Sequence, residues 1–343
     1  MKFSKVLANC LFVIVNAAIL IALTSATAAA QYRVTNLVSN QAGLAKHQDA
    51  SLVNAWGIAF APTGPFWISD EGTGLSTVYN GTGVKQSLVV TVPGASGQLI
   101  GSPTGIVFNS TSDFVVTQNS LSGAAIFLFD TLDGTISGWS PTVNANTAVV
   151  AATKPGALYT GLAIGQNNGD NFLYAADNAN NRVDVYDKTF TLVNSFTDPA
   201  LPAGSNPYNV QNIGGDLYVT FTNSSGGGVV DVFDTQGRFK KTFATGGTLK
   251  EPWGLAKSPS NFGKASNAIL VGNLADGRIN AYSSGNGKFI GQLRDTSGKI
   301  ISIDGLWGLA FGGGNPNNGK ANQLFFTAGP NNYANGLFGV ITQ

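Results

Sequence analysis

The sequence holds one cysteine, one histidine and one methionine in 343 residues, and charged side chains make up only 11% of it. Each scarcity removes a class of chemistry. The single thiol, Cys10, lies in the N-terminal apolar segment. A disulfide framework is therefore excluded, and a cysteine nucleophile in the repeated part of the chain with it. A single imidazole, His47, rules out a zinc site of several histidines. It precedes the repeated part of the chain and offers no well-placed base for a serine triad. No G-x-S-x-G elbow and no Walker-type phosphate loop occurs. Glutamate is almost missing too, with only Glu71 and Glu251 beyond residue 30. There is no basic surplus. The formal net charge is +1, and loss of Lys2 and Lys5 with the N-terminal segment turns it to −1, which gives nucleic acid or an anionic membrane nothing to bind.

Long apolar runs are absent apart from Leu11 to Leu23. Lys2 and Lys5 precede that run, and small residues ending Ala28-Ala29-Ala30 follow it. This is the pattern of a secretory signal peptide over residues 1–30, cleaved after Ala30. The run is short for a bilayer span; the alternative is an uncleaved anchor. Lipidation at Cys10 is not expected, because the apolar run follows the cysteine instead of preceding it. The mature chain, residues 31–343, is then a secreted or periplasmic monomer without a membrane span, held by core burial alone.

What is plentiful is glycine, with 44 residues, and hydrophobics at 43%. Their arrangement is periodic. NAWGIAF, SPTGIVF, LYTGLAI, NPYNVQN, EPWGLAK and GLWGLAF align on Gly57, Gly105, Gly161, Asn209, Gly254 and Gly308, at gaps of 48, 56, 48, 45 and 54 residues. Asn209 stands where a glycine with positive φ is expected, asparagine being the commonest substitute there. Second apolar elements follow as FWISDE, FVVTQN, LYAADN, LYVTFT, ILVGNL and LFFTAG, and third elements as STVYN, AIFLFD, RVDVYD, VVDVFD, RINAYS and LFGVIT. Short apolar runs without helical period, four to a unit and six units long, predict an all-β, six-bladed β-propeller forming a single domain. The sixth unit lacks a fourth strand, and YRVTNLVS at Tyr32 is a lone strand before the first unit. The N-terminal strand is expected to complete the last blade and remove the open edge.

The third unit, TGLAIGQNNGDNFLYAADNANNRVDVYD, resembles an NHL-type propeller repeat. KASNAILVGNLADGRINAYSSGNGKFIGQLRD, IDGLWGLAFGGG and LFFTAGPNNYANGLFGVI resemble a family of secreted bacterial six-bladed propellers of uncharacterised function. The resemblance implies fold and export but no reaction. It also leads one to expect acidic residues at the final loop, where this chain has Asn331 and Asn332.

Propeller loops at one face converge on the axis. By repeat position those loops carry Asn54, Asp70, Gln118, Asn119, Asp177, Asn206, Asn273 and Asp276 as a polar binding mouth. Glu71, Asn178, Asn209, Glu251 and Asp304 are the candidate ligands for an axial cation. Six-bladed lactonases of the gluconolactonase kind use an axial Ca²⁺ held by Glu, Asn and Asp. By that likeness the ion would polarise a lactone carbonyl while a carboxylate activates water. The same Asx residues equally cap turns, because their side chains satisfy loop backbone groups. Trp56, Trp253 and Trp307 share one repeat position, with Tyr208 in the fourth unit. They either pack between blades or ring the mouth and stack on sugars. Asp177-Asn178-Ala179-Asn180-Asn181 fails as an EF-hand loop, with Ala179 at the third position and no glycine at the sixth; it is first a strand-to-strand turn. The leading functional reading is a non-enzymatic scaffold that binds an extracellular protein or glycan, with Ca²⁺ the one cofactor admitted and none required. The alternative is the Ca²⁺-dependent hydrolase, and a surface-layer role is a third.

Overall fold

The computed structural model describes residues 32–95 and 97–343, so the expected signal peptide and Cys10 lie outside it. Apolar runs of four to nine residues, separated by Gly- and Asx-rich turns, pair with their sequence neighbours into antiparallel sheets. Blade 1 runs, inner to outer strand, Ala55–Phe60, Phe66–Asp70, Leu75–Tyr79 and Lys85–Thr91. Blade 2 follows as Pro103–Phe108, Phe127–Thr131, Thr135–Trp139 and Val149–Thr153. Blade 3 is Tyr159–Asn167, Asp170–Asp177, Arg182–Tyr186 and Leu192–Phe196. Blade 4 is Asn206–Ile213, Asp216–Thr222, Gly228–Phe233 and Phe239–Thr245. Blade 5 is Pro252–Lys257, Ala268–Asn273, Ile279–Ser283 and Phe289–Gln292. In blade 6, Leu306–Phe311, Leu324–Ala328 and Leu337–Thr342 are completed by Arg33–Ser39 from the N-terminal side. That strand pairs antiparallel with the last, from Arg33 opposite Thr342 to Ser39 opposite Leu337, which is the closure expected from the strand count. The inner strands touch one another in chain order, and the sixth returns to the first.

Blade 2 departs from the expected assignment. FVVTQN is not its second strand. Val115–Gln118 and Leu121–Ala124 form a separate hairpin that packs on the outer strands of the blade, and the second strand is Phe127–Thr131. Both runs are apolar and of strand length, so periodicity alone did not rank them. The hairpin takes Gln118 and Asn119 off the mouth. Gln118 accepts a hydrogen bond from Asn144, and Asn119 sits in the hairpin turn at φ 51°.

The aligned glycines also have another cause than the expected one. None of the five has a positive φ, and neither does Asn209. The first turn of the inner strand is bulged instead, with register shifts between Ala55 and Ile58, Tyr159 and Leu162, Pro252 and Leu255, and Leu306 and Leu309. The bulge presses each glycine against the next inner strand. A Cβ on Gly57 would stand 2.3 Å from the Thr104 carbonyl oxygen, one on Gly105 2.3 Å from Leu162 N, and one on Gly161 2.2 Å from Asn209 Oδ1. The freed N–H groups find side chains: Gly308 N–H donates to Thr327 Oγ1 at 2.8 Å, and Gly105 N–H to Asp130 Oδ1. The core lies between blades, where aromatic pairs such as Trp67 on Phe127, 4.2 Å between centroids, fill the gaps.

Candidate binding site at the plugged end of the axis

At the end where the chain enters each inner strand, three tryptophans from blades 1, 5 and 6 meet on the axis. Trp56 stacks on Trp307 at 3.7 Å and 15°, and Trp253 stands edge-on to both, at 6.3 and 5.8 Å. All three are buried, with Leu274 beside them and Leu132 and Tyr208 packed against them. Hydrogen bonds hold two of the rings in place, while Trp56 is held by stacking. Trp307 Nε1–H donates to Asn54 Oδ1 at 2.8 Å and Trp253 Nε1–H to the Thr160 carbonyl at 2.8 Å. So these rings neither ring an open mouth nor pack between neighbouring blades alone; they plug the axis. Beneath them the channel narrows to about 20 Å³ between Gly57, Gly105, Gly308 and Asn209, room for about one water. It then widens to a cavity of about 480 Å³ open at the opposite face.

A second layer of aromatic and acidic groups covers the plug. Tyr333, 45% exposed, lies on Trp307 at 5.7 Å and 34°. Tyr208 meets the edge of the same indole at 5.9 Å. Burial, and then the charges of Glu251 and Asp304, raise the Tyr333 phenol. Burial, Tyr333 and Glu251 do the same to Tyr208. Both phenols therefore stay neutral. The third carboxylate, Glu71, accepts from Asn54 Nδ2–H at 2.8 Å. Backbone strain gathers at this face. Asn54 has φ 46° and Glu251 φ 49°, and Asn331, Asn332 and Tyr333 follow one another at 59°, 51° and 66°. Asparagine tolerates the left-handed region, but Glu and Tyr in it cost on the order of 1–3 kcal/mol each. The last loop is kept there by Asn331 N–H on Asp304 Oδ2 at 2.8 Å, Tyr333 N–H on the Gly329 carbonyl at 3.1 Å, and Asn54 N–H on the Asn335 carbonyl at 3.0 Å.

The other residues singled out from the sequence are placed as follows. Asp70, Asp177 and Asn273 are fully buried and serve their own turns. Asp70 Oδ2 accepts from Thr77 N–H, and Asn273 Nδ2–H donates to the Thr248 carbonyl and to Asp276. Asp177 accepts from Leu158 N–H, Asn180 and Lys154. Asn206 opens the inner strand of blade 4. Among the five proposed cation ligands, Asn178 Nδ2–H is bonded to the Pro207 carbonyl and Glu71 to Asn54. Asn209, at the neck, donates to the Trp253 carbonyl, and its Oδ1 takes the Val210 N–H. Asp304 is bonded to the last loop through Asn331 N–H, and the charges of Glu251 and Asp304 both act on the Tyr333 phenol. Among the described residues no three Asp, Glu, His or Cys side chains gather as a metal site. The donor set does not fit an axial cation, because indole rings fill the axis and Asn209 lies beneath them at the neck. Tyr333 was missed in the sequence. Its signal was an aromatic inside an Asn-rich turn that has none in the equivalent loops of the other blades.

Comparison with known proteins finds relatives along the whole repeated chain. Protein R648 of Acanthamoeba polyphaga mimivirus, which is uncharacterised, is 31% identical over 333 residues, 91% of this chain and 80% of that one. Protein L690 of the same virus, also uncharacterised, is 29% identical over 92% of this chain and 87% of that one. No protein-family model matches. Among solved structures, a streptogramin B lyase superposes with a TM-score of 0.56 at 12% identity, over 92% of this chain and 99% of that one. A virginiamycin B lyase from Staphylococcus aureus gives 0.53 at 13%, over 91% and 100%. Likeness at that identity extends to the propeller fold alone.

Proposed function

The chain belongs to the family that includes the mimivirus protein R648, and we propose that it is an exported, non-enzymatic propeller scaffold that binds an extracellular glycan at the plugged end of its axis. The observation that carries this reading is the Tyr333 ring, backed by Trp307 and exposed on strained backbone, in a loop bonded to Asp304 and within the field of Glu251. An exposed ring on a rigid aromatic floor offers a flat apolar face to the C–H face of a sugar, and flanking carboxylates accept hydroxyl donors. The plug supplies rigidity, so little ordering is lost on binding. The bacterial export family that the repeats resemble and the signal-like residues 1–30 support the extracellular setting. The calcium-assisted hydrolase finds less support, because its ligand set is divided between the two sides of the plug.

The test is a glycan array followed by calorimetry on the best ligand. Tyr333→Ala is expected to weaken binding by at least about tenfold, roughly 1.4 kcal/mol, with unchanged thermal melting. Retention of no glycan, or equal affinity in Tyr333→Ala, rejects the reading. Capture of a protein by the same face with no glycan bound would replace it.

A further inference from the structure

The opposite end of the axis carries a second site, and the repeat itself shows how it was made. Each inner strand ends in the wall of the cavity of about 480 Å³. Three residues after the aligned glycine stand Phe60, Phe108, Ile164, Asn212, Lys257 and Phe311. Two residues after it stand Ala59, Val107, Ala163, Gln211, Ala256 and Ala310. The blades have one architecture and place these positions alike, yet polar residues enter only in the adjacent blades 4 and 5. The cavity therefore has an apolar wall from blades 6, 1, 2 and 3 and a polar wall from blades 4 and 5.

The polar wall is not all structural. Asn212 is used by the fold: its Nδ2–H donates to the Ile164 carbonyl and its Oδ1 accepts from Gly215 N–H, each at 3.0 Å. Gln211 and Lys257 are exposed, and neither side chain has a hydrogen bond or ion pair among the described residues. Among the described residues no Asp or Glu lines the cavity, and the ammonium of Lys257 is the one charge there. A lone cation on one side of a concave, largely apolar wall focuses potential on an anion. The cavity is within the size range of small-ligand sites, and the Trp plug closes its far end, so a ligand enters and leaves by one mouth.

We propose that this blind funnel binds a small amphipathic carboxylate. Its apolar body lies against Phe60, Phe108, Ile164 and Phe311, and its carboxylate meets Lys257 and the Gln211 amide. The site is independent of the glycan-binding reading, since it uses the other face and none of the same residues.

Displacement of the fluorescent anion 8-anilinonaphthalene-1-sulfonate by decanoate and by decanol tests it. Decanoate is expected to compete saturably, with decanol about tenfold weaker. Lys257→Ala should erase that difference while leaving decanol unchanged; as an exposed position it leaves folding intact. Ala310→Trp, which fills the funnel, should weaken both ligands by about tenfold or more, with thermal melting reported alongside. Decanoate that fails to compete overturns the proposal, as does equal affinity for decanol in the native protein. Decanoate binding unchanged in both variants places the ligand elsewhere and overturns it as well.

Discussion

At single residues, the aligned glycines separate two demands that look identical in a sequence. Glycine is needed at Gly57 because the neighbouring blade's carbonyl leaves no room for a Cβ, not because the backbone is left-handed. Gly57→Ala is expected to lose about 1–3 kcal/mol in chemical denaturation, as overpacked cores do. Gly285 has no atom within 4 Å of an added Cβ and no positive φ. Gly285→Ala should instead gain about 0.4–1 kcal/mol by restricting the unfolded chain. Equal responses of the two variants would remove the close-approach account. Asn209 obeys the same logic from the other side. It fits at a glycine position because its amide replaces ladder bonds the bulge has broken, donating to the Trp253 carbonyl and accepting from Val210 N–H.

At the scale of the blade, one position shows how partners decide a charge. Asp184 and Asp231 occupy the same place in the third strands of blades 3 and 4, opposite Ala175 and Val219. Asp184 has two cations and a hydroxyl beside it: Lys154 Nζ lies 2.5 Å from Oδ2, the Tyr159 hydroxyl donates to the same oxygen at 2.9 Å, and Arg182 Nε stands 3.0 Å from Oδ1 without hydrogen-bond alignment. In blade 4 the Tyr159 position is Pro207 and the Arg182 position is Val229. The crossing segment that supplies Lys154 to blade 3 supplies Asp198 instead. Burial therefore pushes the Asp231 carboxyl up to about 7; Thr242 pulls it down, and the nearby charge of Asp198 adds a smaller upward push. The native state then holds this proton more tightly than the unfolded chain does. The stabilisation is complete below about pH 4 and fades as pH rises to about 7. Denaturant titrations from pH 4 to 7 should show stability falling in the native protein, and Asp231→Asn should flatten that slope. An unchanged slope in the variant would exclude the carboxyl pair as its source.

For the molecule as a whole, stability depends on closing the ring. The strand Arg33–Ser39 covers the edge of Leu337–Thr342, and Arg33 lies opposite Thr342, beside the last residue of the chain. A circular permutant that carries residues 32–44 after Gln343 through a short turn, and begins at residue 45, should keep the melting temperature of the native chain. Deletion of residues 32–39 should lower that temperature and promote association, since it exposes a long apolar edge. A deletion variant that melts like the native chain would show that the closing strand is dispensable. This closure was legible in the sequence because a missing last strand and a spare first one match by count. The hairpin inserted in blade 2 was not, since Val115–Gln118 and Phe127–Thr131 are both apolar and short, and only long-range pairing distinguishes them.

The sequence by itself determined the period, the number of blades and the way the ring closes, because each rests on local apolar patterning repeated along the chain. It also marked which residues sit at loops. Only the tertiary structure decided what those loops face. Trp56, Trp253 and Trp307 are nearly 200 residues apart or more between blade 1 and blades 5 and 6, and their meeting on the axis depends on the curvature of a closed ring. That meeting seals one end, turns the expected open mouth into an aromatic platform under Tyr333, and leaves the axial cavity open at the opposite end.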